Sequence, residues 1–397
     1  MSQVEQHAFQ SGLARSDIAL PTVLHITQPG SEGVANCVVA STSELAARGY
    51  TVEVVGPAGT PLEDGVRLAG LGFHPWHSSR RPTDGLQSDV ANLRVIIERV
   101  QPAVVHLHSS KAGAAGRLAL KARIPTVFQP HAWSFDAVTW PLAPAARQWE
   151  RFATRWTDGL VTVSERERLD ADRHGIGGRR TVTVIPNSVD TDRFRPPLPG
   201  EGRSRVESGP VVACIGRLCR QKGQDILLRA WPLVRMHVPS AKLLLVGEGP
   251  YRSRLDGRGD VSIELVGARD DTDHLLRQVD LVVMPSRWEG MSLAMLEAMA
   301  TGLSVVATDV GGVAETVGRG AGAVVPVGDH RRLAEAMVQR LRSGRLRRHE
   351  GSVGRRLVLT RHSLPATTRQ LEDVYWTVMG GQEPVDASSS DRRSVSR

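Results

Sequence analysis

The sequence predicts an α/β protein built from two Rossmann-like, doubly wound domains that face each other across a cleft. Three observations point there. Short runs rich in Val, Ile and Leu recur along the 397 residues, each followed by a turn and a longer amphipathic stretch, which is the pattern of a parallel sheet wrapped by helices. The rhythm breaks once, at Asp190–Pro210, and then restarts. The chain is also 41% hydrophobic and long enough for two cores of ordinary domain size.

In the first half the strand candidates are Thr22–Ile26, Thr51–Val55, Ala103–Leu107, Thr126–Gln129, Leu160–Val163 and Val182–Ile185. In the second half they are Val211–Ile215, Lys242–Val246, Val261–Leu265, Leu281–Met284, Ser304–Ala307 and Ala323–Val325. Asp190–Pro210 holds four prolines together with glycines and charges, which suits an exposed linker. Residues 21–200 are therefore expected to form the first domain and residues 201–365 the second. Residues 1–20 and 381–397 are polar and aperiodic, and read as disordered. Residues 366–380 form a terminal helix, in which Leu371, Val374, Tyr375 and Val378 share one apolar face.

Several classes drop out on composition. No apolar run approaches the ~20 residues that cross a bilayer, and the N-terminus lacks a basic start followed by an apolar stretch. The three cysteines, Cys37, Cys214 and Cys219, have no CxxC spacing, which argues against disulfides and structural zinc and for the reducing cytoplasm. The net charge of +8 comes largely from arginine clusters such as Arg345–Arg348, the kind that make solvated helix faces. A basic nucleic-acid-binding protein is the rival that this charge raises. Without aromatic-basic interleaving, nucleic acid is not expected as a partner.

In open α/β sheets ligands bind beyond the carboxyl ends of the strands. After Leu281–Met284 comes a loop containing Glu289, then a helix starting near Met291–Ser292. Its free N–H groups and dipole suit a phosphate, held by the backbone of Gly290, Met291, Ser292 and Leu293. Glu289 sits outside the helix and Glu297 about two turns in, so that both carboxylates can accept hydrogen bonds from hydroxyl groups. Arg217 and Lys222, after Val211–Ile215, can clamp a diphosphate, the arginine as a fork and the lysine as a point charge. Cations aimed at a departing diphosphate favour the transition state over the ground state. Gly247 and Gly249 allow a base or phosphate to come close to the backbone. A full GxGxxG fingerprint is absent.

In the first domain, Gly30 and Gly33 belong to a loop that brings backbone amides toward a ligand. His106 and His108 lie on one side of their strand and are read as lining the cleft, with Lys111 meeting an acceptor anion. No third ligand stands at a metal-site spacing, so no metal is expected there. His131 follows Thr126–Gln129. In the helix Ala145–Trp156, arginines at 147, 151 and 155 share one face and Trp149, Phe152 and Trp156 another. Core packing of the aromatic face is the favoured reading, and contact with an anionic membrane is the alternative.

Taken together, Ile215–Gly223, Leu245–Pro250, Ile185–Asp190 and the Glu289-x7-Glu297 segment resemble the GT-B-fold glycosyltransferases of family 4, over roughly His25 to Met379. The resemblance implies that Glu289 contacts the donor sugar, that Glu297 contacts the nucleotide ribose, and that His131 touches the sugar near its reacting carbon, often through the backbone carbonyl. It also implies that the terminal helix folds back onto the first domain. The implied activity is a retaining hexosyltransferase (EC 2.4) using a nucleotide diphosphate sugar, commonly UDP-linked, without a metal or other cofactor. Asp190-Thr191-Asp192 and Asp271-Thr272-Asp273 imitate the metal-binding Asp-x-Asp of the other large glycosyltransferase fold, but neither follows a buried strand. The stretches around His108–Gly113 and Pro130–Phe135 look similar to those of enzymes that extend lipid-linked cell-surface glycans. A hydroxyl acceptor of that kind is expected, with a small metabolite as the alternative. The expected location is the cytoplasm, with peripheral contact at the inner membrane face.

Overall fold

The computed structural model describes residues 20–79, 84–138, 142–177, 182–199, 201, 209–255 and 259–380. Apart from Leu20, the two ends read as disordered lie outside the described residues, as does 202–208 of the linker.

Strands β1 (Thr22–Thr27), β2 (Thr51–Gly56), β3 (Gly72–Pro75), β4 (Val104–His108), β5 (Thr126–Gln129), β6 (Gly159–Thr162) and β7 (Val182–Val184) form one sheet, in the order β3-β2-β1-β4-β5-β6-β7. Strands β8 (Val211–Ile215), β9 (Lys242–Val246), β10 (Ile263–Gly267), β11 (Leu281–Met284), β12 (Val305–Thr308) and β13 (Gly322–Val325) form a second, in the order β10-β9-β8-β11-β12-β13. Neighbours pair in parallel throughout. Helices cover both faces, so the strands are buried on two sides and read as continuous apolar runs. Each run expected to be a strand is one, with ends moved by two residues at most. The strand that the sequence did not announce is β3. It is Gly-Phe-His-Pro, paired through β2 at the sheet edge, and carries neither apolar continuity nor alternation.

Strand order reverses between β1 and β4 in one sheet and between β8 and β11 in the other. Connections leave these neighbours on opposite faces and open a crevice at their carboxyl ends. The chain crosses between the sheets twice, and the two crossings touch. Val189 bridges to Ser363, the Val189 N–H donates to the His362 carbonyl at 3.0 Å, and His362 Nδ1 lies 2.9 Å from the Asn187 carbonyl.

After the second crossing, the helix Leu364–Val378 starts on Pro365, a residue suited to a first helical turn where N–H groups have no partner. It packs Leu371, Val374 and Tyr375 against Val23, Val104, Val127 and Val161 of the first sheet. Gly159 of β6 makes room, since a Cβ there would stand 3.0 Å from a Val378 methyl. Arg48 holds the helix from outside by an ion pair with Glu372 at 3.0 Å.

The helix predicted over Ala145–Trp156 spans Leu142–Ala153, followed by a tight turn at Thr154–Trp156. Its buried positions are Glu150 and Ala153, with Glu150 paired to the buried Arg117 at 2.8 Å. The aromatic face is therefore not core, which corrects the favoured expectation. Trp149, Phe152 and Trp156 pack on one another with ring centroids 5.2 to 6.5 Å apart, and Phe152 is 44% exposed.

The domains also meet through Glu315. Its carboxylate accepts the backbone N–H groups of Glu165 at 2.9 Å and Arg166 at 2.8 Å, at the start of the helix Glu165–Arg173. A negative charge at a helix N-terminus is favourable by about 1 kcal/mol. Glu315→Ala removes both acceptors, and should raise the radius of gyration in solution scattering while leaving the far-ultraviolet spectrum unchanged. An unchanged radius would show that the contact does not hold the domains together.

Candidate active site

The two crevices enclose a cavity of about 940 Å³, within the range of small-molecule sites. The first domain lines it with Gln28–Pro29, Ser109–Lys111 and Pro130–Ser134. The second contributes Ile215–Arg217, Val246–Glu248, Ala268–Asp270 and Trp288–Ala294.

Glu289 lies at the centre, its side chain 9% exposed. Lys222 Nζ donates to its Oε1 at 2.6 Å and Ser286 Oγ donates to the same oxygen at 2.9 Å. Burial alone would depress the Lys222 ammonium, but the charge and hydrogen bond of Glu289 outweigh it and hold the group above its ordinary value. An ammonium has two further donors, so Lys222 can serve Glu289 and a phosphate together. The loop beneath is braced. Arg287 pairs with both oxygens of Asp225 at 2.8 and 2.6 Å, and Gln221 Nε2 donates to the Trp288 carbonyl at 3.1 Å.

Ser292 is the cap residue of the helix Leu293–Ala300, and its side chain makes no hydrogen bond to the helix. The first-turn N–H groups have no carbonyl four residues back, and Ser292, Leu293 and Ala294 line the cavity. Glu297, one face further along, has its carboxyl pushed up to about 7 by burial, partly offset by Arg193. Arg193 also lines the cavity and was missed in the sequence, where it reads as a linker residue after Asp190-Thr191-Asp192. Asp190 is used locally, accepting the N–H groups of Asp192 and Arg193 at 3.0 Å each, and Asp273 pairs with Arg277 at 2.8 Å.

Across the cleft, His131 adopts a left-handed backbone, φ +60°, which costs a non-glycine residue about 1–3 kcal/mol. Its carbonyl is driven against Gly290, where a Cβ would stand 2.0 Å from that oxygen. Gly290 is glycine because the other domain's backbone occupies the place of a side chain. Gly311 and Gly312, also missed, complete the contact. Gly311 has φ +48° and would clash with the Gly290 carbonyl, which accepts the Gly312 N–H at 2.9 Å. Asn187 Nδ2 donates to the Met291 carbonyl at 2.7 Å.

Other expected residues are placed differently. Gly30 packs on Pro57 and Thr60 and does not line the cavity, whereas Gly33 does, with nothing within 4 Å of a Cβ placed there. The loop of Gly247 and Gly249 lies on the backbone of Gly216 and Leu218, at 2.3 and 2.5 Å from an added Cβ; of the two, only Gly247 lines the cavity. Lys111 is 2% exposed, pairs with the buried Asp89 at 2.7 Å and donates to the Asp84 carbonyl, so its charge is answered within the first domain. His108, also 2% exposed, is packed beneath His131 at 3.0 Å rather than facing an acceptor. The partner that spacing did not supply is His25 on β1. One ring nitrogen from each of His25, His106 and His108 falls within 4.8 Å of the others.

A carboxylate held beside an ammonium, a helix start free for phosphate and a second, half-buried carboxylate fit a nucleotide sugar. Sequence comparison agrees. Residues 31–193 match the model of Glycosyltransferase Family 4 and residues 209–343 that of Glycosyl transferases group 1. A GDP-mannose-dependent monoacylated alpha-(1-6)-phosphatidylinositol monomannoside mannosyltransferase of Corynebacterium glutamicum is 33% identical over 61% of this chain and 69% of its own length.

The chain belongs to glycosyltransferase family 4.

A GDP-mannose-dependent mannosyltransferase of Mycobacterium tuberculosis is 32% identical over 64% of this chain and 70% of its own, and an Escherichia coli UDP-Gal-dependent galactosyltransferase is 28% identical over 56% and 61%. The fold is GT-B. The Anabaena HepE structure with UDP and glucose superposes with a TM-score of 0.75 at 20% identity, covering 89% of this chain and 98% of that one. This family 4 enzyme transfers a sugar from a nucleotide sugar. Among the described residues no helix is long and apolar enough to cross a membrane.

The ribose contact that the family resemblance implies for Glu297 would give the site a pH dependence. Ribose hydroxyls donate to a carboxylate, so binding favours its ionised form, and a group raised to about 7 is largely protonated below that pH. The donor KM should therefore rise as pH falls from ~8 to ~6, and Glu297→Gln should flatten the profile. A wild-type KM that is flat over this range would contradict the assignment.

Proposed function

We propose that the enzyme is a retaining hexosyltransferase that moves a hexose from a nucleoside diphosphate sugar, GDP-mannose being the first donor to test, to a hydroxyl of a lipid-anchored saccharide. The observation that carries the donor half is the Lys222–Glu289 pair, 2.6 Å apart beside the open start of the helix Leu293–Ala300. Glu289 accepts from sugar hydroxyls, Glu297 from the ribose, and the helix start holds the distal phosphate. Lys222 and Arg217 meet the negative charge that builds on the leaving diphosphate. The bond between the sugar's anomeric carbon and the diphosphate breaks as the acceptor oxygen bonds to the same face. The acceptor proton passes to the departing phosphate oxygen. His131, with its carbonyl at the Gly290 contact, positions the sugar. The reaction needs no metal or cofactor.

The relatives named above support the donor and acceptor class. The two from Corynebacterium glutamicum and Mycobacterium tuberculosis are named as GDP-mannose-dependent phosphatidylinositol monomannoside mannosyltransferases. UDP sugars, the sequence-based expectation, form the second arm of the test. The half-exposed cluster of Trp149, Phe152 and Trp156 supports an acceptor presented at an anionic membrane surface. Arg155 stands 3.8 Å over the Phe152 ring there, and Leu142, at the start of the same helix, is 62% exposed.

A panel of GDP and UDP hexoses, offered with phosphatidylinositol mannoside and polyprenyl diphosphate saccharides, tests the reading by mass spectrometry of the glycolipid. GDP-mannose with a lipid acceptor should give product, and Glu289→Gln should lower kcat/KM ~10²-fold. Product only on small soluble acceptors, or full activity in Glu289→Gln, would contradict it.

A further inference from the structure

Beneath His131, a chain of buried rings runs into the core of the first domain. His131 Nε2 lies 3.0 Å from His108 Nδ1, and His108 Nε2 lies 2.9 Å from His25 Nδ1. His25 Nε2 lies 3.3 Å from the hydroxyl of Tyr375, which in turn lies 2.7 Å from His106 Nδ1. His25, His106 and Tyr375 are 0% exposed and His108 is 2% exposed. Tyr375 comes from the helix Leu364–Val378, so the last helix among the described residues reaches beneath the cleft of the first domain.

Three close imidazoles invite a metal, but the rings are not arranged for one. Both nitrogens of His25 and of His108 are engaged in the chain, and the His106 and His108 rings are tilted on one another, centroids 4.0 Å apart at 31°. Hydrogen bonding accounts for the cluster.

We propose that Tyr375 is a positioning residue which sets, through His25 and His108, the ring nitrogen of His131 that carries the proton. Burial holds His25 down at about 3 and His131 at about 4, with His106 and His108 also well below their ordinary value, so the four rings are neutral. A neutral imidazole has one N–H, and each link of the chain takes one proton, so the direction of one link fixes all the others. The shorter contact of Tyr375 is with His106, which places the hydroxyl proton there. Its oxygen then accepts from His25 Nε2–H, His25 Nδ1 accepts from His108 Nε2–H, and His108 Nδ1 accepts from His131 Nε2–H. His131 is left with a bare Nδ1, an acceptor for a hydroxyl in the cleft. The His106 proton falls on Nε2, and the Gln129 side chain beside the ring favours a proton there.

Tyr375→Phe keeps the ring and removes the hydroxyl. His25 Nε2–H would then be a buried donor without an acceptor, a cost of about 1–3 kcal/mol. Reversing the chain relieves it and moves the free N–H to His131 Nδ1, at the cleft. The inference rests on the reading of His131 as a group of the donor site, but its main readout needs no donor. In the full chain labelled with 15N-histidine, with the His131 signal assigned by its loss in His131→Gln, two-bond proton–nitrogen spectra should show the Nε2–H form in the wild type and the Nδ1–H form in Tyr375→Phe. The variant's kcat should fall ~10²-fold with the donor KM nearly unchanged. An Nδ1–H form in the wild type, an unchanged His131 in the variant, or a stoichiometric metal in the purified full-length protein would overturn it. If Tyr375→Phe does not fold, the wild-type spectrum and metal content still decide.

Discussion

The cleft depends on one close approach, the carbonyl of His131 against the α-carbon of Gly290. Each partner is held from behind. His131 keeps its left-handed backbone because Trp133, two residues on, is 1% exposed and donates through Nε1 to the Glu167 carbonyl at 3.0 Å, while the His131 ring is tied to His108. Gly290 is fixed by the Gly312 N–H on its carbonyl and by Asn187 on the next carbonyl, that of Met291. Rigid supports on both sides make the spacing at this contact a property of backbone geometry.

That geometry sets the electrostatics. Lys222 and Arg217 come from the loop after β8, Glu289 and the helix start from the loop after β11, and these loops flank the switch point of the second sheet. The Lys222–Glu289 pair keeps both charges fixed in a half-buried setting, where an unpaired charge would be costly. Fixed charges need little rearrangement as a diphosphate departs, which is the condition for stabilising a transition state.

How far the sequence carried differs from residue to residue, for physical reasons. The parallel strands were legible because burial on both faces demands apolar runs, and β3 was not, because a short edge strand needs none. Glu289, Lys222 and Glu297 were legible as charges beside strand ends. The glycines were legible as places of close approach, but not as to what approaches: backbone meets backbone at Gly247, Gly249 and Gly290. His25 was hidden within an apolar strand, and its meaning depends on the register that sets it opposite His106. Arg193, Gly311 and Gly312 become site residues only when two distant segments are brought together. The aromatic face of Leu142–Ala153 misled because helical periodicity shows that a face exists, not what covers it.

The most direct measurement is steady-state transfer by Gly290→Ala beside the affinity of the same variant for the free nucleoside diphosphate. An added methyl must displace the His131 carbonyl, so kcat/KM for transfer should fall ~10²-fold. Nucleotide affinity, assigned in the proposal to groups of the second domain, should stay within a factor of about two. Transfer at the wild-type rate would contradict the dependence of the site on this contact, as would an equal loss of nucleotide affinity.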